Sequence, residues 1–137
     1  MNDRSALTAI RRGIACTCPN CGTGALYKSY LKVNDICPSC GEELFHQRAD
    51  DAPAYFTILI VAHIVGAGIL LTEFTWHWSE YLQWAIWIPA LVILSLGLLP
   101  RIKGALIGLQ WANRMHGFGG AANHVTYAEP APVKPVV

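Results

Sequence analysis

Two runs decide the fold: Ala54–Thr72, AYFTILIVAHIVGAGILLT, and Leu82–Leu99, LQWAIWIPALVILSLGLL. Nineteen residues at a 1.5 Å rise cover about 28 Å, close to the ~30 Å hydrocarbon core of a bilayer. Between Pro53 and Pro100 the only acids are Glu73 and Glu80, and no Lys or Arg occurs. Two helices buried in a soluble bundle would need charged outer faces to meet water, and these runs have none. The expectation is a membrane α-helical hairpin: transmembrane helix 1 at 54–72, an external loop at 73–81 and transmembrane helix 2 at 82–99. Asp51 is a candidate helix cap, Pro53 fits the first turn, and Pro89 predicts a kink.

Cation placement orients the hairpin. Arg4, Arg11, Arg12, Lys28, Lys32 and Arg48 precede it, Arg101, Lys103, Arg114 and Lys134 follow it, and the connection carries none. The positive-inside rule then puts both termini in the cytoplasm. Trp76, Trp78, Tyr81 and Trp84 gather at the connection, where amphipathic rings favour the headgroup layer. Membrane lipid is therefore an expected partner.

Outside the runs, charge returns. Over all 137 residues only 14% are charged, against roughly 25% in a soluble domain, and the net charge is +1. Such a balance argues against a nucleic-acid partner, as does the lack of aromatic stacking residues beyond Tyr27, Tyr30 and Phe45. Met1 to Gly13 carries three arginines without the apolar run of a cleavable signal peptide. Residues 1–15 read as an N-terminal arm or short helix, with Leu7, Ile10 and Ile14 at helical spacing and Asp3 or Ser5 as cap. Residues 46–53 form a juxtamembrane linker. Residues 100–116 read as an amphipathic cytoplasmic helix, in which Gly104, Gly108 and Ala112 make a small-residue stripe. That stripe suits either packing on the protein's own spans or a partner surface. Residues 117–137, with Gly119-Gly120 and closely spaced prolines, read as a disordered tail.

The chemistry sits in residues 16–45. Cys18-Pro19-Asn20-Cys21-Gly22 recurs as Cys37-Pro38-Ser39-Cys40-Gly41, with fifteen residues, 22–36, between the pairs. Two residues between cysteines let both thiolates converge on one ion, and the following glycine allows the positive φ that turns backbone amides towards sulfur. Cys18, Cys21, Cys37 and Cys40 are thus the expected ligands of a metal in a small β zinc ribbon. Its short antiparallel strands lie within Leu26–Val33, and Asn34-Asp35 supplies turn chemistry. The cofactor expected is Zn²⁺. Iron is the alternative, because paired Cys-Pro-x-Cys-Gly knuckles also resemble rubredoxin, which spaces its pairs more widely. Two disulfides would need an oxidising compartment, which the orientation disfavours. Lys28, Lys32 or Arg48 would offset the site's negative charge. Cys16 is the fifth thiol and reads as a spectator.

His63, near the middle of the first run, is the possible intramembrane functional residue, with Ser95 as a possible partner; a neutral imidazole bonded to a neighbouring helix is the simpler alternative. Glu73, His77 and Glu80 could meet at an outer metal if helical, but a solvated turn is the simpler reading. Asp50-Asp51 reads as helix-capping rather than catalytic. No nucleophile–base arrangement, phosphate loop or dinucleotide fingerprint is present, so no catalytic residues are assigned and a non-enzymatic role is expected.

In its paired knuckles, in Asp50-Asp51-Ala52-Pro53 before the first run, and in Leu99-Pro100-Arg101-Ile102-Lys103-Gly104-Ala105-Leu106 after the second, the chain resembles a bacterial family. This is domain of unknown function 983, small two-span membrane proteins with an N-terminal zinc ribbon; the likeness covers residues 11–116. The resemblance implies the bacterial inner (cytoplasmic) membrane and no established activity. Family members are often encoded beside genes for haem–copper oxidase assembly, which implies an accessory role with a respiratory-complex partner.

Overall fold

The computed structural model describes residues 4–118. Its elements are α1 (Ala6–Ile14), β1 (Tyr27–Ser29), β2 (Lys32–Val33), α2 (Ala52–Trp76), α3 (Glu80–Ala112) and a 3₁₀ turn at Met115–Gly117. The fold is a helical hairpin, α2 against α3, carrying a small four-cysteine ribbon on the C-terminal end of α3. The expected tail at 117–137 falls, beyond Phe118, outside the described residues.

α2 presents Pro53, Thr57, Val61, Val65 and Thr72 as its buried stripe, the near-four-residue spacing of one helix face. Gly68 completes the contact, because a Cβ there would collide with the Trp87 ring. Elsewhere the hairpin turns apolar side chains outward: Ile58 is 68% exposed and Ile93 70%. Both helices are long and apolar enough to cross a membrane.

The helices overrun the bounds drawn from hydropathy. α2 continues from the expected end at 72 to Trp76, and α3 begins at Glu80, so the loop expected at 73–81 shrinks to 77–79. His77 closes α2 in the left-handed conformation at φ 45°, and the Trp76 and Trp78 rings stack beside it, 5.8 Å apart. Thr72 donates to Gln83, whose amide donates to Glu73, tying the two helix ends together across this tight connection. Asp51 occupies the cap position of α2, but its side chain makes no capping hydrogen bond.

The separate amphipathic helix expected at 100–116 is instead the continuation of α3, which runs through Pro100 to Ala112. A proline at 100 has no N–H for the carbonyl four residues back, Leu96, and an unpaired carbonyl is what ends a helix or bends it. Here the Tyr30 hydroxyl donates to the Leu96 carbonyl at 2.7 Å. One turn on, the Tyr27 hydroxyl donates to the Pro100 carbonyl, also at 2.7 Å. Two tyrosines of the ribbon thus brace α3 where proline weakens it.

The small-residue stripe of α3 receives α1. A Cβ at Gly104 would strike the backbone of Gly13, and one at Gly108 the backbone of Ala9. The paired order makes the two helices antiparallel, in contact backbone to backbone. Ser5 caps α1, its hydroxyl accepting from the Thr8 amide.

The core of the head joins three parts of the chain: Ala9 from α1, Leu26, Leu44, Cys18 and Cys37 from the ribbon, and Ile107 and Trp111 from α3. Trp111 donates its indole N–H to Glu42 at 2.9 Å. Arg4 lies 4.4 Å over the Trp111 ring and donates to the Phe118 carbonyl at 2.8 Å. The Gln110 amide both donates to and accepts from the Arg48 backbone, pinning the linker.

Candidate metal centre

Each cysteine pair sits in the same turn. Cys18 N–H donates to Gly24 O and Gly22 N–H to Cys18 O; Cys37 N–H donates to Glu42 O and Gly41 N–H to Cys37 O, all at 2.8–3.0 Å. Gly22 and Gly41 have φ of 74° and 73°, the left-handed conformation that the sequence reading required of them. Isolated bridges close the two turns, Thr17 with Ala25 and Ile36 with Glu43. The β1–β2 hairpin between them turns at Tyr30-Leu31, with Leu31 at φ 61°, not at the expected Asn34-Asp35. Asn34 instead donates its amide N–H to the Ala25 carbonyl.

The four sulfurs of Cys18, Cys21, Cys37 and Cys40 all lie within 4.8 Å of one another. Cys18 to Cys40 and Cys21 to Cys37 are each 3.8 Å. Sulfurs about 2.3 Å from one tetrahedral ion lie about 3.8 Å apart, whereas a disulfide would bring a pair to about 2.05 Å. All five cysteines are free thiols. The donor set could hold a metal ion, and four thiolates suit zinc or iron equally in geometry.

Three residues that the motif does not specify shape this centre. Gly24 has room for no Cβ, because one would meet the Cys37 sulfur. Thr23 Oγ1 and the Gly24 N–H both donate to the Cys21 sulfur, at 3.4 and 3.3 Å. Those donors bring the Cys21 thiol down to about 6. Burial, conversely, raises the Cys18 thiol above its ordinary value, and partial desolvation moves that of the exposed Cys40 in the same direction. Asn20 donates to the Glu42 carboxylate at 3.1 Å and stands 3.7 Å from the Cys40 sulfur.

The cation beside the site is not one of those expected. Arg12, from the last turn of α1, donates to the carbonyls of Pro19 and Asn20 at 3.1 and 2.6 Å, and its guanidinium lies against Gly22. Lys28 pairs with Asp35 instead, and Arg48 is held at its backbone by Gln110. No local pattern marks Arg12; its role depends on α1 folding back over the first knuckle.

The remaining candidates fall elsewhere. The Cys16 thiol is outside the four-sulfur group and contacts the Ile14 carbonyl at 3.8 Å. His63 is exposed on α2, and its Nδ1–H donates to the Leu59 carbonyl of its own helix at 2.6 Å, so the bond goes to neither a neighbouring helix nor Ser95. Glu73, His77 and Glu80 do not converge; the four cysteines are the one cluster of potential metal ligands among the described residues.

A sequence profile for the family described as Protein of unknown function (DUF983) matches residues 27–111. The match runs from β1 to Trp111 and so contains Cys37 and Cys40, while Cys18 and Cys21 lie before it. No curated protein and no solved structure matches the chain.

Proposed function

From the premise that this chain belongs to the DUF983 family, we propose that it is a non-enzymatic accessory or assembly factor for a membrane complex of the respiratory-oxidase kind. Its two helices cross the bacterial inner membrane, both termini are cytoplasmic, and a zinc ion bound by Cys18, Cys21, Cys37 and Cys40 organises the head.

One observation carries the proposal: of four sulfurs clustered closely enough to share one ion, those of Cys18 and Cys37 belong to the same core as Ile107 and Trp111 of α3. A site filled by four protein ligands has no open coordination position for water or substrate, which favours a structural role. What such an ion stabilises here is a rigid head fused to a span, a shape suited to presenting a surface beside another membrane protein. The exposed apolar flanks of both helices and the cation asymmetry support the topology. The oxidase as partner is supported by the family resemblance alone.

The test is elemental analysis and native co-purification from membranes in mild detergent. One zinc per chain and a stoichiometric membrane-protein partner are expected. A lone protein, with oxidase levels unchanged on deletion, would remove the accessory role. Zinc uptake by metal-free protein at pH 7 is expected to release at least two protons, from Cys18 and Cys40, whose thiols are raised by desolvation and so protonated. Calorimetry in buffers of different ionisation enthalpy reads that number.

A second reading rests on the solvent exposure of Cys40, which would let an incoming ligand reach the ion and take it. In that case the protein handles metal. Exchange with a competing chelator within minutes would favour it, and visible charge-transfer absorbance would identify iron.

A further inference from the structure

We infer that the tip of the β1–β2 hairpin, residues 28–32, docks the head onto anionic phospholipid headgroups at the inner face of the membrane. The inference rests on the proposal that α2 and α3 span that membrane.

The depth of the tip is the first observation. Its Tyr30 hydroxyl bonds the carbonyl of Leu96, which belongs to the second apolar run. Leu96 lies four residues, about 6 Å along the helix, before Pro100, the first residue past the run. The tip therefore reaches past the level at which charged residues resume on α3. Tyr30 is nonetheless 56% exposed, so its ring faces outward at this depth. An amphipathic ring with its hydroxyl satisfied and its edge uncovered is favoured in the headgroup layer.

Charge is the second observation. Lys28 and Lys32 flank the tip and are exposed, Arg101 is exposed on the neighbouring turn of α3, and Lys103 donates to the Leu31 carbonyl at 2.9 Å. Asp35 is the acid that pairs here, and it is bonded to Lys28. Lys32, Arg101 and Lys103 have no carboxylate partner among the described residues. The metal centre does not use them, since the cation beside it is Arg12. A cluster of cations held at the hydrocarbon boundary matches a layer of phosphate-bearing headgroups, and each lysine near such a surface favours anionic over neutral lipid by about five-fold.

The experiment uses the full chain in lipid nanodiscs of phosphatidylcholine, alone or mixed with phosphatidylglycerol, with amide hydrogen exchange followed over residues 27–33. Exchange at the tip is expected to be at least about five-fold slower in the anionic discs. The difference should shrink in high salt and in the K28Q/K32Q variant. The K28R/K32R variant should keep it, and bound metal equal to the parent's would show that the head is intact. Inorganic phosphate added to the neutral discs should not reproduce it. Equal tip exchange in the two lipids, with α2 and α3 still protected, would overturn the docking and leave the spans standing. Free exchange along α2 and α3 in both discs would overturn the spans and the docking together.

Discussion

The two parts of α3 are one helix in two settings. From Glu80 to Leu99 most of its large apolar side chains point outward, and its helical neighbour is α2. From Gly104 to Trp111 the same helix is buried, with Gly104, Ile107, Gly108 and Trp111 covered by α1 and the ribbon. The first part packs on α2 by shape, Trp87 filling the notch at Gly68, with the Thr72–Gln83–Glu73 bonds closing the connection. The second part is held by the Trp111 bond to Glu42 and by four sulfurs placed to share an ion, and Tyr30, Tyr27 and Lys103 make directional bonds at the junction between the two parts. A helix surrounded by hydrocarbon needs its backbone bonded and its surface apolar, and little more. A head of this size in water lacks the apolar area to be stable alone and needs a further constraint. Metal removal should therefore affect the two parts of α3 very differently.

The largest expected effect follows from Cys37→Ser, or from chelation. Structural zinc in small modules is worth on the order of 10–16 kcal/mol, more than a head this small can hold in reserve. Stoichiometric metal should be lost, and hydrogen exchange should rise across 16–45, in α1 and around Trp111, while the 80–99 part of α3 stays protected. Spread of the exchange into 80–99 would erase the division between the two parts. Persistence of the ribbon without metal would remove the ion from the account.

Next comes the backbone contact between α1 and α3. Gly104→Leu places a side chain where the Gly13 backbone lies, and overpacking of this kind costs about 3 kcal/mol. Limited proteolysis should release residues 4–14 first, with metal still bound. Gly66→Ala offers the contrast, because a Cβ there meets nothing within 4 Å; it should be neutral.

Smaller effects are expected where the ribbon braces Pro100. Tyr30→Phe leaves the Leu96 carbonyl without its donor, at a cost of about 1 kcal/mol. In a Pro100→Ala background the backbone N–H at 100 can take over, and the cost of Tyr30→Phe should drop. Equal costs in both backgrounds, in a double-mutant cycle by chemical denaturation, would show that the tyrosine and the proline are uncoupled.

The least effect is expected from His63→Ala. Its ring bonds its own helix and touches no other element through a hydrogen bond, so folding should change by less than about 0.5 kcal/mol. A larger loss, measured by denaturation in detergent, would mean that a partner covers this face of α2.

Much of this was legible from local pattern. The length and polarity of the two apolar runs imposed long helices, and the repeated Cys-Pro-x-Cys-Gly turns imposed both the cluster and its two left-handed glycines. Helix ends were less legible, because hydropathy locates the fall-off of apolar residues, whereas a helix ends where its backbone bonds run out. Pro100 looked like a boundary for that reason, and the hydroxyl that keeps α3 continuous belongs to Tyr30, far away in the chain. Arg12 and Gly24 were hidden in the same way: each matters because of what another segment brings against it.

By itself, then, the sequence determined the hairpin, the four ligands and the turns that hold them, since each follows from spacing within a few consecutive residues. Tertiary structure decided that the Gly104–Gly108 stripe takes α1, that Arg12 is the cation beside the knuckle, and that the ribbon and α3 share one core. Period and covalent proximity act within a turn or two of chain. Which surfaces meet is settled by packing between segments far apart in the chain, and no stretch of residues carries that information alone.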